Sequence, residues 1–159
     1  MTVQLALYKG KGHVGNALIR WWCKSQYSHC ELVVGGICHS SSLMDGGVRS
    51  KIIDLGSGNW DLIDLPWADA DSVLEHFLRT DHVRYGLMSL AFSQLLNRNR
   101  SSEGAQFCSE WCADALGLPN PATYSPATLM DLCGYIHRMP RLTHASPHNI
   151  KPFDTCGDD

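Results

Sequence analysis

No stretch of this sequence approaches the ~18 consecutive apolar residues of a membrane span, so no transmembrane segment is expected. Charge is scarce. Asp, Glu, Lys and Arg make up 18% of the 159 residues, below the ~25% of an ordinary globular domain. The formal net charge of −3 leaves no basic footprint for nucleic acid. Internal repeats and low-complexity runs are missing too. The opening Met1-Thr2-Val3-Gln4-Leu5 has neither the basic n-region nor the apolar h-region of a secretory leader, so the protein is expected to be cytoplasmic in the cell that makes it. With 44% hydrophobic residues, disorder, coiled coil and fibrous repeat are excluded. The length fits one domain, able to bury roughly 70% of its unfolded surface.

Cysteine and histidine are what the chain has in excess. There are seven cysteines (23, 30, 38, 108, 112, 133 and 156) and eight histidines. An odd cysteine count in such a chain argues against a disulfide framework. Most of these thiols read as small buried hydrophobes. Structural zinc sites use closely spaced ligand pairs, whereas the cysteines contain no CxxC, only Cys112 four residues after Cys108. A zinc module built on Cys108, Cys112 and His29 is a rival without an evident fourth ligand. No metal and no cofactor are expected.

The pattern of the chain is strands first and helices later. Residues 3–8 alternate as a first strand, and 14–23 place Val14, Leu18, Trp21 and Trp22 at helical spacing. That Trp pair reads as core rather than as a carbohydrate platform. Residues 29–34 and 37–41 form a hairpin across Gly35-Gly36. Two more strands are expected at 48–55 and 60–65, then helices at 68–79, 86–96, 107–116 and from Ser125-Pro126 to about Tyr135. Beyond Pro140 no period is visible. The expected organisation is an α+β domain over 1–139 with an irregular extension at 140–159.

Two positions suggest chemistry. Cys108 follows a polar loop and opens a helix, where unpaired N–H groups and the helix dipole stabilise a thiolate and a developing oxyanion. His29 begins a strand, where its side chain emerges at the sheet's end and shares a face with Glu31 and Val33. A cysteine at a helix start beside a strand-end imidazole is a general solution for nucleophilic catalysis. Either residue alone has an ordinary structural reading, as a buried thiol or a half-exposed histidine. Asp45-Gly46-Gly47 reads as a turn, with no GxGxxG or Walker pattern around it, and Arg49 is placed to hold a substrate carboxylate.

The segments Tyr27-Ser28-His29-Cys30-Glu31-Leu32-Val33-Val34, Asp45-Gly46-Gly47-Val48-Arg49 and Phe107-Cys108-Ser109-Glu110-Trp111-Cys112 together resemble the permuted branch of the NlpC/P60 papain-like cysteine hydrolases (YiiX/YebB-like). In that branch the His-bearing hairpin precedes the Cys-bearing helix. Tyr85-Gly86 also fits, and the resemblance runs to about Leu129. It implies a permuted papain-like fold, a small antiparallel sheet against helices, with Cys108 as nucleophile and His29 as base. It further implies a polar residue on the strand after the histidine. His39 is the expected third catalytic residue, with Glu31, Ser40, Ser42 and Asp45 as alternatives. A tight turn would set Ser42 across from His29 and Ser40 diagonally, whereas a one-residue bulge would bring in His39 or Ser41. Glu110 is expected to brace its helix. The implied activity is a cysteine peptidase or amidase cutting amide bonds, foremost in peptidoglycan peptides. A lipid acyltransferase or thioesterase and a non-catalytic phage or effector module are the alternatives. A wall-directed monomer of this kind would need delivery to a periplasm or a target cell, with a secretion system or immunity protein as partner.

Overall fold

Alternating apolar residues in Val3–Tyr8 make β1, the strand around which the sheet is built. It pairs antiparallel with β2 (His29–Val34) on one side and β5 (Trp60–Asp64) on the other. β3 (Ile37–Ser42) and β4 (Gly47–Lys51) extend the sheet beyond β2, giving five antiparallel strands in the order β4-β3-β2-β1-β5. The computed structural model describes residues 1–10, 25–42, 44–81 and 107–139. The expected helices at 14–23 and 86–96, Tyr85-Gly86 and the 140–159 extension lie outside these.

The β2–β3 turn sets the register. Gly35 and Gly36 have φ of 58° and 82°, the left-handed pair that a two-residue primed turn demands. Val34 therefore stands opposite Ile37, Val33 opposite Cys38 and Leu32 opposite His39, with no bulge between these pairs.

Three helices are described: α1 (Ala70–Thr80), α2 (Cys108–Ala115) and α3 (Pro126–Arg138). The chain is α+β, as expected. α1 starts two residues later than its apolar period suggests, because Asp69 caps it, accepting from the N–H groups of Asp71 and Ser72 at 3.4 and 3.2 Å. β4 stops at Lys51 rather than at residue 55, since Asp54 turns the chain by accepting from the Gly56 N–H at 3.0 Å. α3 runs to Arg138, one turn past the expected Tyr135, and places His137 and Arg138 at its C-terminal end.

The main core lies between the sheet and the helices, where Leu5, Leu7, Cys30, Leu32, Val73, Trp111, Cys112, Leu129 and Cys133 are buried together. Trp111 is fixed within it by an Nε1–H donated to Thr80 Oγ1 at 2.9 Å. A smaller cluster of Ala6, Val33 and Cys38 occupies the other sheet face. Among the described residues no helix is long and apolar enough to cross a membrane.

Candidate active site

β2 alternates, so His29, Glu31 and Val33 share one face while Cys30, Leu32 and Val34 face the helices. α2 packs on β2 and β3, and its first residue is Cys108. His29 is the first residue of its strand, at the sheet's end, and there its ring and the Cys108 thiol lie close enough for each to shift the other's titration. Cys30, next in the chain, turns inward, with its thiol 3.8 Å from that of Cys112. The two residues that the sequence nominates as nucleophile and base are thus brought together from positions 79 apart in the numbering.

Electrostatics favour an ion pair. A hydrogen bond from Cys30 holds the Cys108 thiol well below the ordinary range, against the opposing effect of burial, and the charge and hydrogen bond of His29 add to it. Burial acts to lower the pKa of His29, but the Cys108 thiolate and the Glu31 carboxylate outweigh it and push the imidazole up to about 10. Cys30, buried between Cys108 and Cys112, is pushed far up. α2 begins with Phe107 as its cap residue, and the first intrahelical bond is Trp111 N–H to Phe107 O at 2.8 Å. The N–H groups of Cys108, Ser109 and Glu110 therefore have no acceptor one turn back in the helix. Glu110 accepts from the Phe107 N–H at 3.4 Å and braces the helix start, as expected. Ser109 Oγ ties the same turn to the Tyr124 carbonyl at 2.7 Å.

The third residue is a correction. His39 stands opposite Leu32, on the helix-facing side, and stacks against Phe77 with ring centroids 4.8 Å apart. It is 4% exposed and neither ring nitrogen has a hydrogen-bond partner. Only a bulge between the turn and this pair would have turned it toward His29, and the pairs from Val34–Ile37 to Leu32–His39 contain none. Ser40 Oγ donates to the Cys30 carbonyl at 2.8 Å, and Ser42 Oγ accepts from the Asp45 N–H at 3.3 Å. Instead, Glu31 Oε1 lies 2.7 Å from His29 Nε2. The Glu31 side chain is 0% exposed. Burial would raise its pKa, but hydrogen bonds from Arg49 and His29 hold it below the ordinary carboxylate value.

Arg49 also departs from expectation. Both Nη atoms reach Glu31 at 2.5 Å and Nε reaches Asp45 Oδ2 at 2.9 Å, so the fork is filled by the chain's own carboxylates. Asp45, expected as an alternative third residue, serves Arg49 and Lys51 rather than His29. A buried glutamate inside an apolar strand was the available signal. Such a charge requires a cation nearby, and position i+2 puts it on the histidine's own face.

The sheet end around His29 is aromatic and charged. Tyr8 pairs with His29 and with Trp60, their rings 5.0 Å apart, and Asp61 joins Lys9 to the Tyr27 hydroxyl. A cavity of about 410 Å³, lined by Trp67, His76, Arg79 and Asp114 among others, sits instead at the far end of α2. No cysteine lines it. Among the described residues no three His, Cys, Asp or Glu side chains gather as a metal-ligand group. No family model, no curated protein and no solved structure matches this chain.

Proposed function

We propose that the protein is a cysteine hydrolase that cleaves acyl bonds, foremost amides, through a thioester on Cys108. The observation that carries this reading is the thiol of Cys108, opening a helix beside His29, whose other partner is the buried Glu31. With Nε2 engaged by Glu31, Nδ1 is the nitrogen left for proton exchange. The thiolate attacks the carbonyl carbon and the N–H groups at the start of α2 stabilise the oxyanion. The imidazolium then protonates the leaving amine, and a water deprotonated by His29 releases the acid.

The substrate class follows from the resemblance rather than from the pocket. Papain-like hydrolases of the permuted NlpC/P60 kind point to peptidoglycan peptides, reached after delivery to a periplasm or a target cell. The test is incubation of wild type and Cys108→Ala with purified muropeptides and, separately, with acyl thioesters. Muropeptide cleavage lost with the thiol is the expected result. Cleavage of thioesters alone would replace the wall peptide by a lipid or thioester substrate, and no turnover of either would leave a non-catalytic module.

A further inference from the structure

We propose that Arg49 is a positioning residue of this site, locking the Glu31 carboxylate in place beneath the His29 ring. This rests on the hydrolase reading above and deepens it.

Arg49 lies two strands away from Glu31. Ser40 pairs with Arg49, and β3 lies between β4 and β2 in the sheet. The guanidinium reaches Glu31 across β3, so the two side chains lie on one sheet face. Strands two apart are separated by about 9.6 Å, beyond the reach of short side chains. Ser40 is small, and its hydroxyl is turned to the Cys30 carbonyl, so the long arm of Arg49 passes over it to Glu31. The two Nη atoms then take one carboxylate oxygen each, both at 2.5 Å. Asp45, in the turn before β4, takes Nε at 2.9 Å and fixes the guanidinium plane. Such a fork sets both the position and the rotation of the carboxylate, which a point charge does not. Glu31 Oε1 receives Arg49 on one side and faces His29 Nε2 on the other, so the orientation imposed by Arg49 is passed to the imidazole.

Removing the guanidinium takes away both Arg49 hydrogen bonds and leaves His29 alone to balance the buried carboxylate, which pushes Glu31 toward its neutral form. A neutral Glu31 no longer favours the imidazolium, and the imidazolium no longer favours the Cys108 thiolate. The other titratable or charged groups around this pair are Tyr8 on β1, Cys30 on β2, Cys38 and His39 on β3, Asp45 and Lys51 flanking Arg49, and Cys108 on α2.

The experiment is the rate of Cys108 alkylation by iodoacetamide against pH, on the full chain. It compares wild type, Arg49→Met, Arg49→Lys, Glu31→Gln and the double variant Glu31→Gln/Arg49→Met. The expected result is a wild-type midpoint well below that of a free thiol and a midpoint about one unit higher in Arg49→Met, a roughly tenfold slower reaction below it. Arg49→Lys recovers part of the shift. In the Glu31→Gln background, Arg49→Met adds nothing. A wild-type midpoint retained in Arg49→Met, an equal added shift without Glu31, or an ordinary thiol midpoint in wild type overturns the proposal. Should Arg49→Met fail to fold, Arg49→Lys and the double variant, which removes both charges of the pair, decide it. Absence of hydrolysis in wild type would sink the hydrolase reading alone, since the alkylation midpoints are read without a substrate.

Discussion

Glu31 Oε1 lies 2.7 Å from Nε2 of His29, two residues earlier on the same face of β2. The partner that orients the imidazole thus comes from the histidine's own strand and not from across the hairpin. Because strand geometry fixes side chains at i and i+2 on one face, no loop has to fold for this contact to form.

The exchange Glu31→Gln removes the carboxylate charge that helps hold His29 up near about 10. On the proposed hydrolase reading, the alkaline limb of kcat/KM, which reports loss of the imidazolium, moves toward lower pH. The acid limb, which reports formation of the Cys108 thiolate, moves up. The active window therefore narrows from both sides, and kcat falls on the order of 10²–10⁴-fold. Steady-state rates across pH 5–11 read both limbs. A Glu31→Gln protein with the wild-type profile would remove Glu31 from the proposed site.

The thiols differ in reactivity in a fixed order. Cys108 is partly exposed and held low, whereas Cys30, Cys38 and Cys133 are buried and raised, Cys38 to about 11 and Cys133 to about 12. Since the thiolate is the nucleophile, brief iodoacetamide treatment at neutral pH labels Cys108 before these three. Peptide mass spectrometry gives the ranking. Equal labelling of Cys108 and Cys133 in native protein would contradict an activated thiolate.

Much of this was legible in the sequence. The alternation of Val3–Tyr8 and His29–Val34, the Gly35-Gly36 turn and the caps of the last helix are local features, and local features survive into the fold. Cys108 and His29 were legible because each sits at the end of an element, where chemistry-bearing groups emerge. His39 failed as the third residue for a reason of parity. One residue of register moves a side chain to the other face, and the sequence leaves open whether a bulge supplies that residue. The sequence admits a substrate clamp at Arg49 because a free guanidinium and one bound across two strands look alike in a sequence. Only the three-strand register shows that its donors are occupied.

Acid should unfold the protein through the same cluster. Burial opposes ionisation of Asp45, but hydrogen bonds from Arg49, Ser42 and Lys51 outweigh it and hold the carboxyl down at about 2. Glu31 is likewise held below its ordinary value. A carboxylate whose folded pKa is depressed contributes stability above its unfolded pKa, and that contribution is lost as pH falls through the folded value. Urea midpoints should therefore decline from about pH 4 toward pH 2, and less steeply in Asp45→Asn than in wild type. Parallel declines in the two proteins would assign the acid sensitivity to other groups.

The last helix separates capping from core packing without touching the site. Ser125 Oγ accepts from the Thr128 N–H at 3.2 Å, and Thr128 Oγ1 accepts from the Ser125 N–H at 2.8 Å, a reciprocal cap closing the start of α3. One turn inward, Leu129 is completely buried in the core with Trp111 and Cys133. Ser125→Ala loses one side-chain acceptor at a half-exposed position and should cost about 1 kcal/mol. Leu129→Ala leaves a cavity in a close-packed interior and should cost about 2–5 kcal/mol. Chemical denaturation gives both values. The alkylation rate of Cys108 should stay at the wild-type level in Ser125→Ala, because the cap bonds neither α2 nor β2. A cost for Ser125→Ala equal to that of Leu129→Ala would mean that α3 is held by its first turn rather than by the core beneath it.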